Sequence, residues 1–171
     1  MKATLQVVNQ MQTDGVISRY AIGDAIGATF YLKPTSTFDI DVFVSLKNLP
    51  GSSLISLEPV YRYLQNRGYL PEKECILIEG WLVQFLPHGD ALDEEALAQA
   101  VQADADRIPV RAMTAEHLTV IALKVGRPKD KIRVAQFLES GILDEKRLRQ
   151  ILERHGLLAK WQQFNDKYLN E

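Results

Sequence analysis

The sequence contains one cysteine, Cys75, so it forms no intrachain disulfide and no cysteine-rich zinc site, and a reducing compartment suits it. No apolar run approaches the roughly 18 residues of a membrane span, and the opening stretch MKATLQVVNQMQ lacks the apolar core of a signal peptide. These absences lead to the expectation of a cytoplasmic protein without a membrane partner. Excess charge of one sign is also missing: 20 lysines and arginines face 22 aspartates and glutamates, a net charge of −2. Bulk charge alone therefore does not hold the chain to nucleic acid. Internal repeats, low-complexity tracts and Gly/Ser-rich linkers are lacking. His88, His117 and His155 are scattered, none at metal-binding spacing with another histidine or with the cysteine.

What is present is globular chemistry: 171 residues, 46% hydrophobic, enough for one domain or a domain with a helical annex. Charge is uneven along the chain. Asp90 to Asp106 carries six acids and no base, which reads as a solvated helix face. Lys124 to Arg133 carries five bases (Lys124, Arg127, Lys129, Lys131, Arg133) and one acid, Asp130, around a Gly126-Arg127-Pro128 break. A patch this dense on a neutral protein suggests a local anionic ligand such as a phosphate chain, with a soluble helix face as the plainer alternative.

Periodicity predicts a helix carrying Leu5, Val8 and Met11, a strand over Val16 to Ile22, a helix over Gly23 to Leu32 despite Gly27, and a turn at Lys33 to Thr37. Phe38 to Val44 is β-rich, Lys47 to Ser53 reads as a loop, and Leu57 to Arg67 as a helix ended by Gly68. Cys75 to Ile78 and Trp81 to Leu86 are strands joined by a Glu79-Gly80 hairpin loop. Leu92 to Ala103 looks helical, and Ile108 to Ala112 is a short strand that Pro109 pushes toward an edge. From Thr114 onward the pattern is helical, with caps at Thr114, Pro128 and Asp144. The layout is a mixed α/β half over 1–112 and a helical half over 113–171, or one continuous domain.

One constellation carries chemistry. Strand alternation projects Asp39 and Asp41 on one face, and Phe38, Ile40 and Val42 on the other. Two neighbouring carboxylates repel, and a divalent cation with a taste for oxygen ligands, magnesium or manganese, removes that cost. An edge strand guarded by charges would show the same pair. Upstream, Tyr20-Ala21-Ile22 leads to Gly23 at a strand-to-helix switch, where backbone amides can approach a phosphate. Amides for phosphates beside acids for a cation are what a nucleoside triphosphate needs.

The stretch YAIGDAIGATFYLKPTSTFDIDVFV, Tyr20 to Val44, resembles the nucleotidyltransferase superfamily (polymerase-β-like fold), in particular minimal bacterial members grouped with AbiEii-type toxins. That family shows a strand ending in Gly-Gly or Gly-Ser, a helix, then a strand with Asp-x-Asp. TAEHLTVIALKVGRPKDKIRVAQFL, Thr114 to Leu138, is similar to the family's helical segment with a lysine followed by Arg-x-x-Asp-Lys. The resemblance implies an α/β (α+β) fold, a mixed sheet flanked by helices with a C-terminal helical region. It implies Asp39 and Asp41 as catalytic metal ligands. Gly23, Asp24 and Thr37 then belong to the phosphate loop, with Lys124 and Arg127 as phosphate contacts. The implied activity passes a nucleotidyl group to an unknown acceptor, RNA or protein among the possibilities, with release of pyrophosphate. A homodimer or an antitoxin-type partner is compatible with it.

Two positions depart from the family pattern. Asp24 stands where serine or glycine is usual, and a carboxylate there repels a triphosphate unless it binds metal or serves the helix start. Gln84 stands where the third carboxylate is expected, and an amide cannot accept a proton as a carboxylate does. Three readings therefore remain open: a magnesium-dependent nucleotidyltransferase, a degenerate non-catalytic module binding nucleotide or protein, and a structural α/β protein. Cys75 reads as a small core residue, Thr35, Ser36 and Thr37 as turn formers, and His117 as a first-turn residue in contact with solvent.

Overall fold

In the computed structural model, which describes residues 1–34, 36–46 and 56–168, the N-terminal helix α1 (Lys2–Thr13) buries Leu5, Val8 and Met11 along one side, as their spacing dictates. β1 (Arg19–Ile22) runs through Gly23 into a short helix, α2 (Asp24–Ala28). β2 (Asp39–Ser45) returns antiparallel to β1, with Ile22 opposite Val42. After α3 (Glu58–Gln65), β3 (Pro71–Glu72), β4 (Cys75–Ile78) and β5 (Trp81–Pro87) form a meander. Its Glu79-Gly80 turn has φ of +50° and +83°, the two positive angles of the predicted hairpin. α4 (Ala91–Ala98) precedes a second hairpin, β6 (Val101–Ala105) and β7 (Ile108–Ala112). Helices α5 (Ala115–Val125), α6 (Pro128–Ser140), α7 (Glu145–Arg154) and α8 (Leu158–Tyr168) complete the described chain. None of the described helices is long and apolar enough to cross a membrane.

The strands form one mixed sheet in the order β3-β4-β5-β2-β1-β7-β6. β2 is parallel to β5 on one side and antiparallel to β1 on the other, so it is the fourth of seven strands. Its burial alternates strictly. Ile40, Val42 and Val44 join the core beneath α1 and α3. Asp39, Asp41 and Phe43 point to the opposite face, where Phe43 packs with Met113, Leu118 and Phe137. The edge-strand explanation of the acid pair is thereby overturned, because β2 is central.

Other expectations need correction. The first strand begins at Arg19, three residues later than predicted. The helix expected to reach Leu32 stops at Ala28 and gives way to turns. Gly27 is needed there, because a Cβ would lie 2.8 Å from the Ile22 carbonyl oxygen. Leu92 to Ala103 is not one helix: α4 ends at Ala98, and 101–105 is a strand whose only fully buried residue is Ala105. With so little burial, the alanine-rich segment carries no readable alternation, and tertiary pairing with β7 overrides its helix propensity. The acidic run is therefore not one helix face. Asp90 caps α4, accepting from the amides of Leu92 and Asp93, and Asp104 accepts from the Arg107 amide in the β6–β7 turn. The edge strand at this end is β6 rather than β7. Pro109 is tolerated because β1 meets β7 at Ala112, beyond the proline. Phe38 lies before β2 and is 85% exposed rather than in the core. The predicted loop at Lys47 to Ser53, and Thr35, lie outside the described residues.

His117 departs furthest from expectation, for its side chain is wholly buried. Thr114 caps α5 by accepting from the His117 amide, and its hydroxyl sits 2.8 Å from His117 Nδ1. His117 Nε2 lies 3.2 Å from Glu95, which also receives Arg154 at 2.7 Å and His155 at 2.8 Å. This node ties α4, α5 and the end of α7 together. The Arg154 hydrogen bonds, helped by both histidines, hold Glu95 down at about 2 against the opposing effect of burial. Burial pushes the His117 imidazole below its ordinary value, although Glu95 opposes it. A neutral Nε2–H tautomer satisfies every partner.

Both shifts act in the same direction. Glu95 is more acidic folded than unfolded, so its contribution is present above about pH 4.5 and is lost as pH falls toward 2. His117 resists protonation when folded, so stability also drops as pH falls below about 6.5. The melting-temperature gap between wild type and Glu95→Gln is expected to be widest above pH 5 and to narrow steadily as pH falls toward 2. A gap independent of pH would show that the carboxylate charge does not hold this node.

Candidate active site

At the end of β1 the Gly23 amide donates to the Asp41 carbonyl at 3.0 Å, which places the strand-to-helix bend directly beside the acid-bearing strand. Gly23 is required by a close approach: a Cβ would lie 2.6 Å from the Phe43 ring. Its own amide is therefore engaged within the sheet, and the expected cradle of free amides does not include it. Thr37 is half-buried and donates its hydroxyl to Asp39 Oδ1 at 3.0 Å, fixing that carboxylate.

Asp24, the first residue of α2, has φ of +42°, a left-handed conformation that side chains rarely adopt. Glycine accommodates such an angle without cost, while aspartate tolerates it. Its carboxylate is met by a cluster of cations. Arg133 bonds it directly, Lys129 lies at 3.5 Å and Arg127 at 3.9 Å. These three come from the basic run. Of the other two, Lys131 lies 6.0 Å from the Tyr168 ring centre, and Lys124 pairs with Asp90 and is not among the residues lining the cleft.

The two arginines are oriented by Asp130, the one acid in the run. Gly126 ends α5 in the left-handed conformation, with φ of +73°, and Pro128 opens α6. The buried Asp130 carboxylate accepts from the Arg127 amide at 3.1 Å and from its Nε at 2.7 Å, and lies 3.7 Å from Arg133. Sequence reading named Arg127 but missed Lys129, Asp130 and Arg133 as site residues. The signal was available: spacing of three along a helix puts 127, 130 and 133 on one side.

Gln84 sits opposite Asp41 in the parallel β2–β5 register and lines the same cleft. That cleft is a cavity of about 270 Å³ between the sheet and α5–α6. Asp24, Asp41, Gln84, Arg127 and Arg133 form its polar part, while Phe43, Leu86, Met113, Leu118 and Ile121 form an apolar wall. Glu79 is outside it and accepts from the Tyr69 hydroxyl at 2.6 Å. Burial likewise raises the Cys75 thiol above its ordinary range, which leaves it a poor nucleophile.

Charge in the cleft is divided unequally. Burial first, then the negative charge of Asp24 and its hydrogen bond, and then Asp39, push the Asp41 carboxyl up to about 7. Burial also acts against an ionised Asp24, but Arg133 and Lys129 outweigh it and keep Asp24 below the ordinary carboxylate range. Below about pH 7 Asp24 thus carries the negative charge while Asp41 retains its proton.

Among the described residues no group of three or more His, Cys, Asp and Glu side chains converges as a metal cage. The donor chemistry still fits a magnesium-type ion, which takes one or two carboxylates and fills its remaining positions with water and phosphate oxygens. Asp39 and Asp41 would supply the carboxylates, and the Gln84 amide oxygen would be a further hard donor within the cleft.

No protein-family model and no curated protein matches the chain. Solved structures do. The antibiotic-resistance factor ANT(2'')-Ia aligns with 99% of this chain and 98% of its own, at 14% identity and a TM-score of 0.53. An antigenic nucleotidyltransferase-like protein from Paracoccidioides brasiliensis aligns over 92% of this chain and 90% of its own, at 11% identity and a TM-score of 0.57. The chain therefore has the nucleotidyltransferase-like fold, with its mixed sheet flanked by helices.

The raised Asp41 carboxyl makes a prediction about the cation-free protein. Its pKa is about 7 folded against 3.8 unfolded, so the folded state binds the extra proton and stability declines as pH climbs between those values. Asp41→Asn is expected to melt higher than wild type at pH 8 without divalent ions. Millimolar magnesium is expected to raise the wild-type melting temperature and to leave the variant unmoved. Equal melting temperatures at pH 8 would show that Asp41 is not under this strain.

Proposed function

We propose that this protein binds a nucleoside triphosphate in the cleft between β2 and α6 and transfers its nucleotidyl group to an acceptor hydroxyl or phosphate. One observation carries the reading: Asp39 and Asp41 occupy a central strand, and Asp41 shares a cleft with a cation cluster on α6. In the transfer, the acceptor oxygen, a hydroxyl giving up its proton to solvent, forms a bond to the α-phosphorus while the bond from that phosphorus to pyrophosphate breaks. A magnesium ion held by Asp39 and Asp41 would supply charge neutralisation for the phosphates and would acidify an oxygen bound to it.

The chain's own residues do the rest. Asp39, positioned by Thr37, and Asp41 hold the cation. Arg127, Lys129 and Arg133 receive phosphate oxygens, the two guanidinium groups matching such anions with paired donors and the Lys129 ammonium acting as a point charge. The apolar wall of Phe43, Leu86 and Ile121 gives the base a dry face to lie on. Lys124, paired with Asp90, does not contact the phosphates in this arrangement.

Gln84 favours a second reading, a nucleotide-binding module without turnover. It offers an oxygen or an N–H to the cleft but cannot take a proton from an acceptor hydroxyl. Calorimetric titration with ATP, GTP, CTP and UTP, with and without magnesium, tests the shared premise. Magnesium-dependent binding is expected, weakened at least tenfold in Asp39→Asn and Asp41→Asn. Pyrophosphate release in the presence of a cellular RNA extract then selects the enzyme, and binding without release selects the module. Absence of binding to all four nucleotides would overturn both.

The resemblance of Tyr20 to Val44 to AbiEii-type toxins supports an extension of the enzyme reading, in which the chain acts as the toxic component beside an antitoxin-type partner. Expression of wild type in a bacterial host is then expected to slow growth, and expression of Asp41→Asn is not. Equal growth would remove the toxin role.

A further inference from the structure

We infer that Asp24 is an internal anion that occupies the phosphate subsite, so that a ligand enters only by displacing its carboxylate from the α6 cations. The inference rests on the reading of the cleft as a nucleotide site and adds what sets its affinity and selectivity.

The geometry is specific. Arg133 is only 11% exposed, and its guanidinium bonds Asp24, with Asp130 as its other acidic neighbour at 3.7 Å. Lys129 and Arg127 approach the same Asp24 carboxylate from the exposed side, at 3.5 and 3.9 Å. Three cations therefore converge on one acid that the chain itself supplies. Asp130 has a separate duty, since it fixes Arg127 at the start of α6. Asp24 does not serve its own helix in that way, for α2 is five residues long and the Asp24 side chain is not what caps it.

Three consequences follow from charge alone. A ligand with a single negative charge gains little, because it replaces one carboxylate by an anion of the same charge. A triphosphate presents several oxygens to the same three cations and outcompetes one carboxylate. The displaced Asp24 is also left beside Asp41 and Asp39, where carboxylates repel one another, so a divalent cation entering with the phosphates eases the exchange. Asp24 thus makes the cleft select cation-complexed polyphosphate over free monophosphate.

The test compares wild type with Asp24→Ser and with the near-isosteric Asp24→Asn, using tripolyphosphate and orthophosphate as probes in isothermal calorimetry without divalent cations. Circular dichroism melts confirm that each variant is folded, and Asp24→Asn preserves the side-chain volume should Asp24→Ser fail. Removal of the carboxylate is expected to tighten tripolyphosphate binding at least tenfold and to narrow the preference for tripolyphosphate over orthophosphate. Unchanged or weaker binding in folded variants, with wild type still binding a magnesium–nucleotide complex, overturns the role of Asp24 and leaves the nucleotide reading intact. Failure of every protein to bind any polyphosphate, with or without magnesium, overturns both.

Discussion

Everything in the cleft answers to the presence of carboxylates on a strand that is fourth in a sheet of seven. A charged pair at a sheet edge is solvated and costs little. Asp41 is flanked by β1 and β5, half-buried, and adjoined by Asp24. At ~4 Å, two like charges repel by ~4 kcal/mol at an effective dielectric of 20, a sizeable share of a domain's net stability. The protein relieves this by raising the proton affinity of Asp41 and placing cations against Asp24. A bound divalent ion would relieve it differently, by supplying the positive charge that the proton otherwise provides.

The cation cluster depends in turn on how α5 hands over to α6. The left-handed Gly126, the fixed φ of Pro128 and the buried Asp130 turn the chain so that Arg127, Lys129 and Arg133 face the end of β1. The second core cluster, running from Ala21 and Ala28 through Met113 and Leu118 to Phe137, holds those helices against the sheet. Gly23 lets this packing close down, since any side chain there would strike Phe43. The site is thus assembled by packing between the two halves of the chain, with the first supplying acids and the second supplying cations.

How much could be read in advance varied with the physical signal. α1, α3, the β4–β5 hairpin and the capped helices α5, α6 and α7 follow from apolar spacing and cap residues, which act over a few neighbours. The hairpin of β6 and β7 was half hidden, because alanine-rich 101–105 has no strong alternation and is a strand through pairing. His117 looked like a solvent-facing first-turn residue, and Glu95, Arg154 and His155, brought from 22 to 38 residues away, bury it in a satisfied node. For the site, Gly23, Asp39 and Asp41 stood out through local pattern, whereas Arg133 did not, since its partner Asp24 is 109 residues distant.

Chemistry carried by near neighbours was therefore determined by the sequence itself: the shared face of Asp39 and Asp41, the basic run with its single acid, the breaks that start and stop the helices. Tertiary structure alone decided which of those charges meet. It made β2 central rather than marginal, drew three of five bases onto Asp24 and sent Lys124 to Asp90. The physical reason is range: alternation and capping operate within one turn or one strand, but the neutralisation of a half-buried carboxylate is settled by whichever charge the folded chain carries to it.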